Sequence, residues 1–440
     1  MKRFLISDFQ RALGQFNFMA IALIFFAPAL ADEWSQWRGD DGLGVWHEKG
    51  IIDHFESDQI ALRWRVPISA GYSGPTVADG RVYVTDRVIE PQQVERIHCF
   101  DWQTGDTLWS REYPCTYSGV GYEAGPRAAV TIVDGVAISL GSMGDLVCLD
   151  AETGKVRWHH PLNETHKIRM PIWGIAASPV VYGDHVIVQI GGEGACVVAF
   201  EIGFGKEVWR ALDDRASYSA SIFIKQADKD VLLCWTGDNI VGLNPKTGDV
   251  YWSVPRPPKK MVINVPSPVV QGDRAFFSSF YDGSTMIRFG TSTLTAEMLW
   301  HRDGVNEIET DALHCMISTP LFLGDYIYGV DSYGQLRCLE AGSGDRVWED
   351  LTATRPARWS NIHMVRHGEN IWMFNEEGQL IIGRVSPAGF QEISRAQLIE
   401  PTEDQLRRRG GVCWSHPAFA YKHIFARNDR ELVCANLGVE

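Results

Sequence analysis

The sequence predicts an all-β fold, an eight-bladed β-propeller with four antiparallel strands in each blade. Three observations carry that expectation. A unit of 43 to 51 residues recurs along the chain, nearly every copy closes on a tryptophan, and two-residue turn signals separate short apolar or alternating runs.

The clearest copy is Gly144–Trp158, which reads Gly-Asp-Leu-Val-Cys-Leu-Asp-Ala-Glu-Thr-Gly-Lys-Val-Arg-Trp. Related copies end at Trp109, Trp209, Trp252 and Trp348, and a weaker one, with Thr295-Ala296 in place of Thr-Gly, ends at Trp300. Each part has a physical reason. Asp79-Gly80, Asp134-Gly135, Gly183-Asp184, Gly272-Asp273 and Gly324-Asp325 are hairpin signals, because Gly and Asp tolerate the positive φ of a two-residue turn. Arg81–Thr85 and Tyr326–Val330 read as strands. The Thr-Gly step reverses the chain between the third and fourth strands. The tryptophan that follows offers a large apolar surface to the neighbouring blade, which a single sheet needs because it cannot bury both faces alone.

Seven blades are contained in residues 74–110, 125–160, 176–211, 217–254, 265–302, 316–350 and 358–396. The last is degenerate and lacks the closing tryptophan; without it the count would be seven. Residues 413–437 supply three further strands, and the missing fourth is expected at the other end of the chain, Ile60–Val66 with Trp64. Pairing the two ends would remove the open sheet edges. The expected organisation is a signal peptide over 1–31, an N-terminal extension over 32–59 and a propeller over 60–440.

Lys2, Arg3 and Arg11 precede a ten-residue apolar stretch, Phe18–Ala27, and Ala29-Leu30-Ala31 offers a small-residue cleavage site. The pattern is that of an export signal cut between Ala31 and Asp32, so the protein is expected to be periplasmic or secreted. The apolar stretch is too short to span a bilayer, so no transmembrane segment is expected. The formal net charge is −14, and loss of residues 1–31 takes it to about −16. Such a chain has no electrostatic footprint for nucleic acid. Arg407-Arg408-Arg409 is the one compact basic cluster and reads as a solvated loop. Of nine cysteines, Cys99, Cys148, Cys338 and Cys434 occupy one repeat position. Equivalent strands of packed sheets lie too far apart for a disulfide, so these four are expected as buried thiols. Pairing among Cys115, Cys315 and Cys413, in the connections between blades, is left open.

The Asp/Glu-x-x-Thr-Gly-x-x-x-Trp signature resembles the PQQ repeat of quinoprotein propellers over nearly the whole mature chain. The segment Trp34-Ser-Gln-Trp37-Arg38-Gly39 resembles the lead of many secreted PQQ-like propeller proteins. The resemblance implies the quinoprotein alcohol dehydrogenase-like architecture. It implies less about chemistry, because the same blades serve quinone-dependent dehydrogenases and the non-catalytic propeller of the outer-membrane β-barrel assembly machine. The dehydrogenases would bring adjacent bonded cysteines, a calcium site beside PQQ and, in some members, a Cys-x-x-Cys-His haem module. The sequence has neither cysteine motif. No catalytic set is found, and no cofactor or metal is expected, with PQQ and calcium kept as the alternative.

In a propeller the connection before each blade opens on one face around the central channel. Several connections here carry a small residue and proline, from Gly74-Pro75 to Thr319-Pro320, with His416-Pro417 as a variant. Their polar and aromatic neighbours are the candidate site: Tyr72, Arg127, Arg169, Trp173, Tyr218, Asn264, His314 and Trp414, with Trp359 beside them. Aromatic walls with a few polar groups suit a small ligand or a protein partner. Arg169–Gly174, at the end of the long connection 163–174, is the segment expected to face the ligand. The function expected is a non-catalytic binding or scaffold module; the alternatives are a PQQ-dependent alcohol or sugar dehydrogenase and an outer-membrane assembly scaffold.

Overall fold

Thirty-two strands build the chain in a computed structural model that describes residues 32–407 and 410–439. The expected export signal lies outside the described residues, as do Arg408 and Arg409 of the basic cluster. The strands form eight four-stranded antiparallel sheets, the blades of an eight-bladed β-propeller. The first blade runs through Thr76–Ala78, Arg81–Val88, Val94–Asp101 and Thr107–Pro114, and the next five begin at Thr131, Val180, Ile222, Val269 and Leu321. The degenerate unit is a full blade, Ile362–His367 to Gly389–Gln397, so the count is eight and not seven.

The eighth blade joins both ends of the chain. Ala418–Ala420, His423–Arg427 and Glu431–Asn436 receive Leu62–Pro67 as their outermost strand, with Trp64 opposite Cys434 and Val66 opposite Leu432. At the hairpin tips Asp79 and Gly80 both have positive φ, as do Asp134 and Gly135. These are the left-handed pairs of turns whose twist matches the strands. The glycine-rich Ile190–Gly194 likewise lies in a hairpin, as the end of the strand His185–Gly192 and the turn into Ala195–Glu201.

The repeat's residues meet across the seams between blades. The acid folds its own turn: Asp101 Oδ1 accepts from the backbone N–H of Gln103 and Thr104, at 2.8 and 2.9 Å. The glycine then receives the tryptophan of the preceding blade. A Cβ at Gly105 would stand 3.0 Å from the Trp64 ring, and one at Gly154 2.5 Å from Trp109. Gly205, Gly248 and Gly344 meet Trp158, Trp209 and Trp300 in the same way. All five glycines have positive φ, so both space and conformation require glycine.

Each indole N–H then finds a carbonyl in that turn. Trp64 donates to Trp102 O at 2.9 Å, Trp109 to Ala151 O at 3.0 Å and Trp158 to Ile202 O at 2.7 Å. The seam onto the weak copy departs from the pattern. Trp252 donates to Gln226 Oε1, and Gln226 Nε2 passes the contact on to the carbonyls of Gly290, Thr293 and Thr295.

The cysteine register follows from the same geometry. Cys99, Cys148, Cys338 and Cys434 stand opposite Trp109, Trp158, Trp348 and Trp64 on the adjoining strand, where a small residue is needed beneath an indole. All nine cysteines are free thiols and buried, Cys115, Cys315 and Cys413 among them.

The extension is woven into the ring. Trp34 exchanges backbone hydrogen bonds with Val77 in the inner strand of the first blade, and Ser35 O accepts from Ile132 N in the second. The Trp37 indole donates to Ser267 Oγ, at the start of the fifth blade, at 2.8 Å. Gly44 and Trp46 then bond to Arg366 of the seventh blade. Trp46 is almost wholly buried, 5.5 Å from the Trp372 ring and 5.0 Å from that of Phe419, between the seventh and eighth blades. Residues 34–46 therefore cross the inner side of the ring before the chain passes outward to become the closing strand.

Candidate binding site

The connections between blades converge on one pocket at the propeller axis. All eight contribute: Tyr72; Tyr122 and Arg127; Trp173 and Ser178; Tyr218; Val265; Met316 and Ile317; Trp359 and His363; Trp414 and His416. Its volume is about 890 Å³ including the open mouth. Trp37 of the extension completes the lining. Its ring meets His416 edge-on at 4.4 Å.

Aromatic rings form a continuous belt. Tyr218 and Trp173 lie 5.2 Å apart, Trp173 and Tyr122 5.7 Å, Tyr122 and Trp359 5.9 Å, and Trp359 and Trp414 6.4 Å. Tyr122 and Trp359 come from opposite sides of the ring, and both have left-handed backbone, with φ of 57° and 70°. Such conformations cost a non-glycine residue about 1 kcal/mol or more and concentrate at functional sites.

The polar groups of the lining are few. Arg127 is held by the protein itself: Nη1 donates to Gly125 O and Ser142 Oγ, Nη2 to Gly121 O and Tyr122 O, over 2.6 to 2.9 Å. Its guanidinium also lies 5.0 Å from the Tyr72 ring. Tyr72 donates its hydroxyl to Gln405 O, and burial raises its pKa above the ordinary phenol value. Burial pushes the imidazoles of His363 and His416 down to about 4 and about 3, so both are neutral at pH 7. Among the described residues no carboxylate and no amide side chain lines the pocket. Among the described residues, no three His, Cys, Asp or Glu side chains gather as donors for a metal ion.

The structure brings together five of the eight sequence candidates here: Tyr72, Arg127, Trp173, Tyr218 and Trp414, with Trp359. Three lie elsewhere. Arg169 is not among the lining residues and donates to the backbone carbonyl of Asp213 and, at 3.2 Å, to its carboxylate. Asn264 is buried and donates to Thr236 O at 3.0 Å. His314 is buried too, with Nδ1 3.0 Å from Phe280 O and Nε2 accepting from Gly304 N. Sequence reasoning missed Trp37, Tyr122, Met316, Ile317 and His363. The first sits in a recognisable motif, but nothing in the sequence gives its depth in the ring.

An eight-bladed propeller with an aromatic axial pocket defines the class of protein. A family model described as outer membrane protein assembly factor BamB matches residues 93–350, and the chain belongs to that family. No curated protein matches the sequence. Among solved structures, BamB from Moraxella catarrhalis is similar at 17% identity and a TM-score of 0.56, covering 85% of this chain and 98% of that one. A europium-containing methanol dehydrogenase is similar at 12% identity and a TM-score of 0.63, covering 91% and 90%. The quinohemoprotein alcohol dehydrogenase of Comamonas testosteroni is similar at 13% identity and a TM-score of 0.62, covering 93% and 81%. At these identities the likeness is one of fold.

Proposed function

We propose that this chain is a non-catalytic binding propeller, periplasmic or secreted after cleavage between Ala31 and Asp32, whose axial pocket captures a small ligand or partner group. The observation that carries the reading is an aromatic pocket with no ionisable set able to move a proton or hold a metal. Among the described residues the lining has no carboxylate, its two imidazoles are neutral, and the four Nη hydrogens of Arg127 are engaged by the protein.

The same observation weighs against the dehydrogenase alternative. PQQ carries three carboxylates and acts beside a calcium ion that takes oxygen ligands. The residues lining this pocket do not fit that group. Family membership favours a second reading, a scaffold in outer-membrane protein assembly. Among the described residues no helix is long and apolar enough to cross a membrane. Co-purification with outer-membrane assembly components tests that reading.

The test of the first reading is a titration of the purified protein with PQQ, with and without calcium, followed by tryptophan fluorescence. No saturable quenching is expected. One-site quenching that is lost in Trp173→Ala would overturn the non-catalytic reading.

A further inference from the structure

We infer that the ligand of the axial pocket is an uncharged aromatic ring bearing a hydroxyl, a phenol in the simplest case. The inference rests on the binding reading above and names the chemistry of that site.

Charge narrows the class first. An aromatic cage alone would also suit a cation. Here the cation–π face of Tyr72 is already occupied by Arg127 at 5.0 Å, and among the described residues no lining carboxylate balances a second positive charge. The buried Arg38 adds a further positive charge within electrostatic reach of His363 and His416. An anion meets the opposite difficulty. The guanidinium that would receive it directs its Nη hydrogens at Gly121, Tyr122, Gly125 and Ser142. The two imidazoles of the lining are uncharged.

Polar matching narrows it further. A sugar presents many hydroxyls, each needing a partner when buried, and among the described residues the lining offers no Asp, Glu, Asn or Gln side chain. Two lining rings instead hold one buried nitrogen each that lacks a partner among the described residues, Trp359 Nε1 and His416 Nε2. The first is a donor only. His416 Nδ1 faces the Pro417 carbonyl at 3.3 Å, which places the proton on Nδ1 and leaves Nε2 an acceptor. A hydroxyl is the small neutral group able to answer either atom. The belt from Tyr218 through Trp173, Tyr122 and Trp359 to Trp414 supplies edge and face contacts at the spacings aromatic rings prefer.

Simple probes separate these terms. Calorimetric titration of the purified protein at pH 7 would use p-cresol, 4-hydroxybenzoate and tyramine, which share a phenol ring and differ in charge. Toluene would remove the hydroxyl, and cellobiose would represent neutral sugars. The expected result is one site for p-cresol, at least about tenfold tighter than for the anion or the cation. Trp359→Phe, which keeps a ring and removes the N–H, should weaken p-cresol several-fold and leave toluene unchanged. Equal binding of the charged analogues, or indifference of p-cresol to Trp359→Phe, would overturn the inference. Saturation by cellobiose or by PQQ without p-cresol would overturn it while leaving the pocket a binding site. No saturation by any probe would remove both readings.

Discussion

Replacing Trp64 by alanine should loosen the seam where the two chain ends meet. Trp64 is 8% exposed, its ring lies 5.9 Å from Phe425, and its indole N–H donates to Trp102 O at 2.9 Å. The substitution removes a buried indole, opens the space that Gly105 keeps clear on the first blade, and leaves the Trp102 carbonyl without its donor. Burial and cavity together make a Trp→Ala change worth about 3–5 kcal/mol. Unfolding entropy of about 2.1 cal/mol/K per residue comes to roughly 0.8 kcal/mol/K over the ~400 residues of the ring. The melting temperature should therefore fall by about 4–6 °C in a calorimetric scan at fixed rate. Trp64→Phe, which keeps most of the apolar surface and loses only the N–H, should fall by less than half as much. A Trp64→Ala protein melting within 1 °C of the parent would refute the claim that the N-terminal strand closes the ring.

Two further outcomes follow from the buried polar and thiol groups. Burial raises the Asp86 carboxyl, but the His98 imidazole 3.0 Å away and the paired Arg96 guanidinium outweigh it and hold the carboxyl well below its ordinary value. A depressed folded-state value stabilises above the unfolded pKa of about 3.9 and is lost as pH falls below it. The melting-point gap between the parent and Asp86→Asn should thus be widest near pH 6–7 and shrink below pH 4, and a gap constant with pH would contradict the assignment. All nine cysteines are buried, and desolvation pushes Cys99, Cys148 and Cys234 up to about 12. A thiol reagent should modify none of them in the native protein at pH 8 and all nine in denaturant, whereas rapid native labelling would show that the blades are not packed as described.

The fold was legible because its repeat is a contact pattern as well as a sequence pattern. Tryptophan, Thr-Gly turn and the small residue opposite the indole are three sides of one seam, so their spacing implied the seam's geometry. Trp64, far from the C-terminal strands in sequence, could be assigned to them because it was the one tryptophan of the series without a blade of its own. The site was legible only to the level of the loop. Tyr72, Trp173, Tyr218 and Trp414 stand in the connections before blades and turn inward. Arg169 stands in such a connection too, but it pairs with Asp213 instead of lining the pocket. Asn264 and His314 turn to nearby backbone groups that would otherwise be buried without a partner. Loop position does not encode those choices. Trp37 shows the other limit, because the extension belongs to no repeat and its partner Ser267 lies 230 residues away.

The most direct test of the binding pocket is fluorine NMR of protein labelled with 5-fluorotryptophan, assigned by single Trp→Phe variants and titrated with p-cresol. The resonances of Trp37, Trp173, Trp359 and Trp414 should move together and saturate, while those of the seam residues Trp109, Trp158 and Trp209 stay in place. Saturating shifts at the seam tryptophans with the four pocket signals unmoved, or no saturable shift at all, would contradict the account.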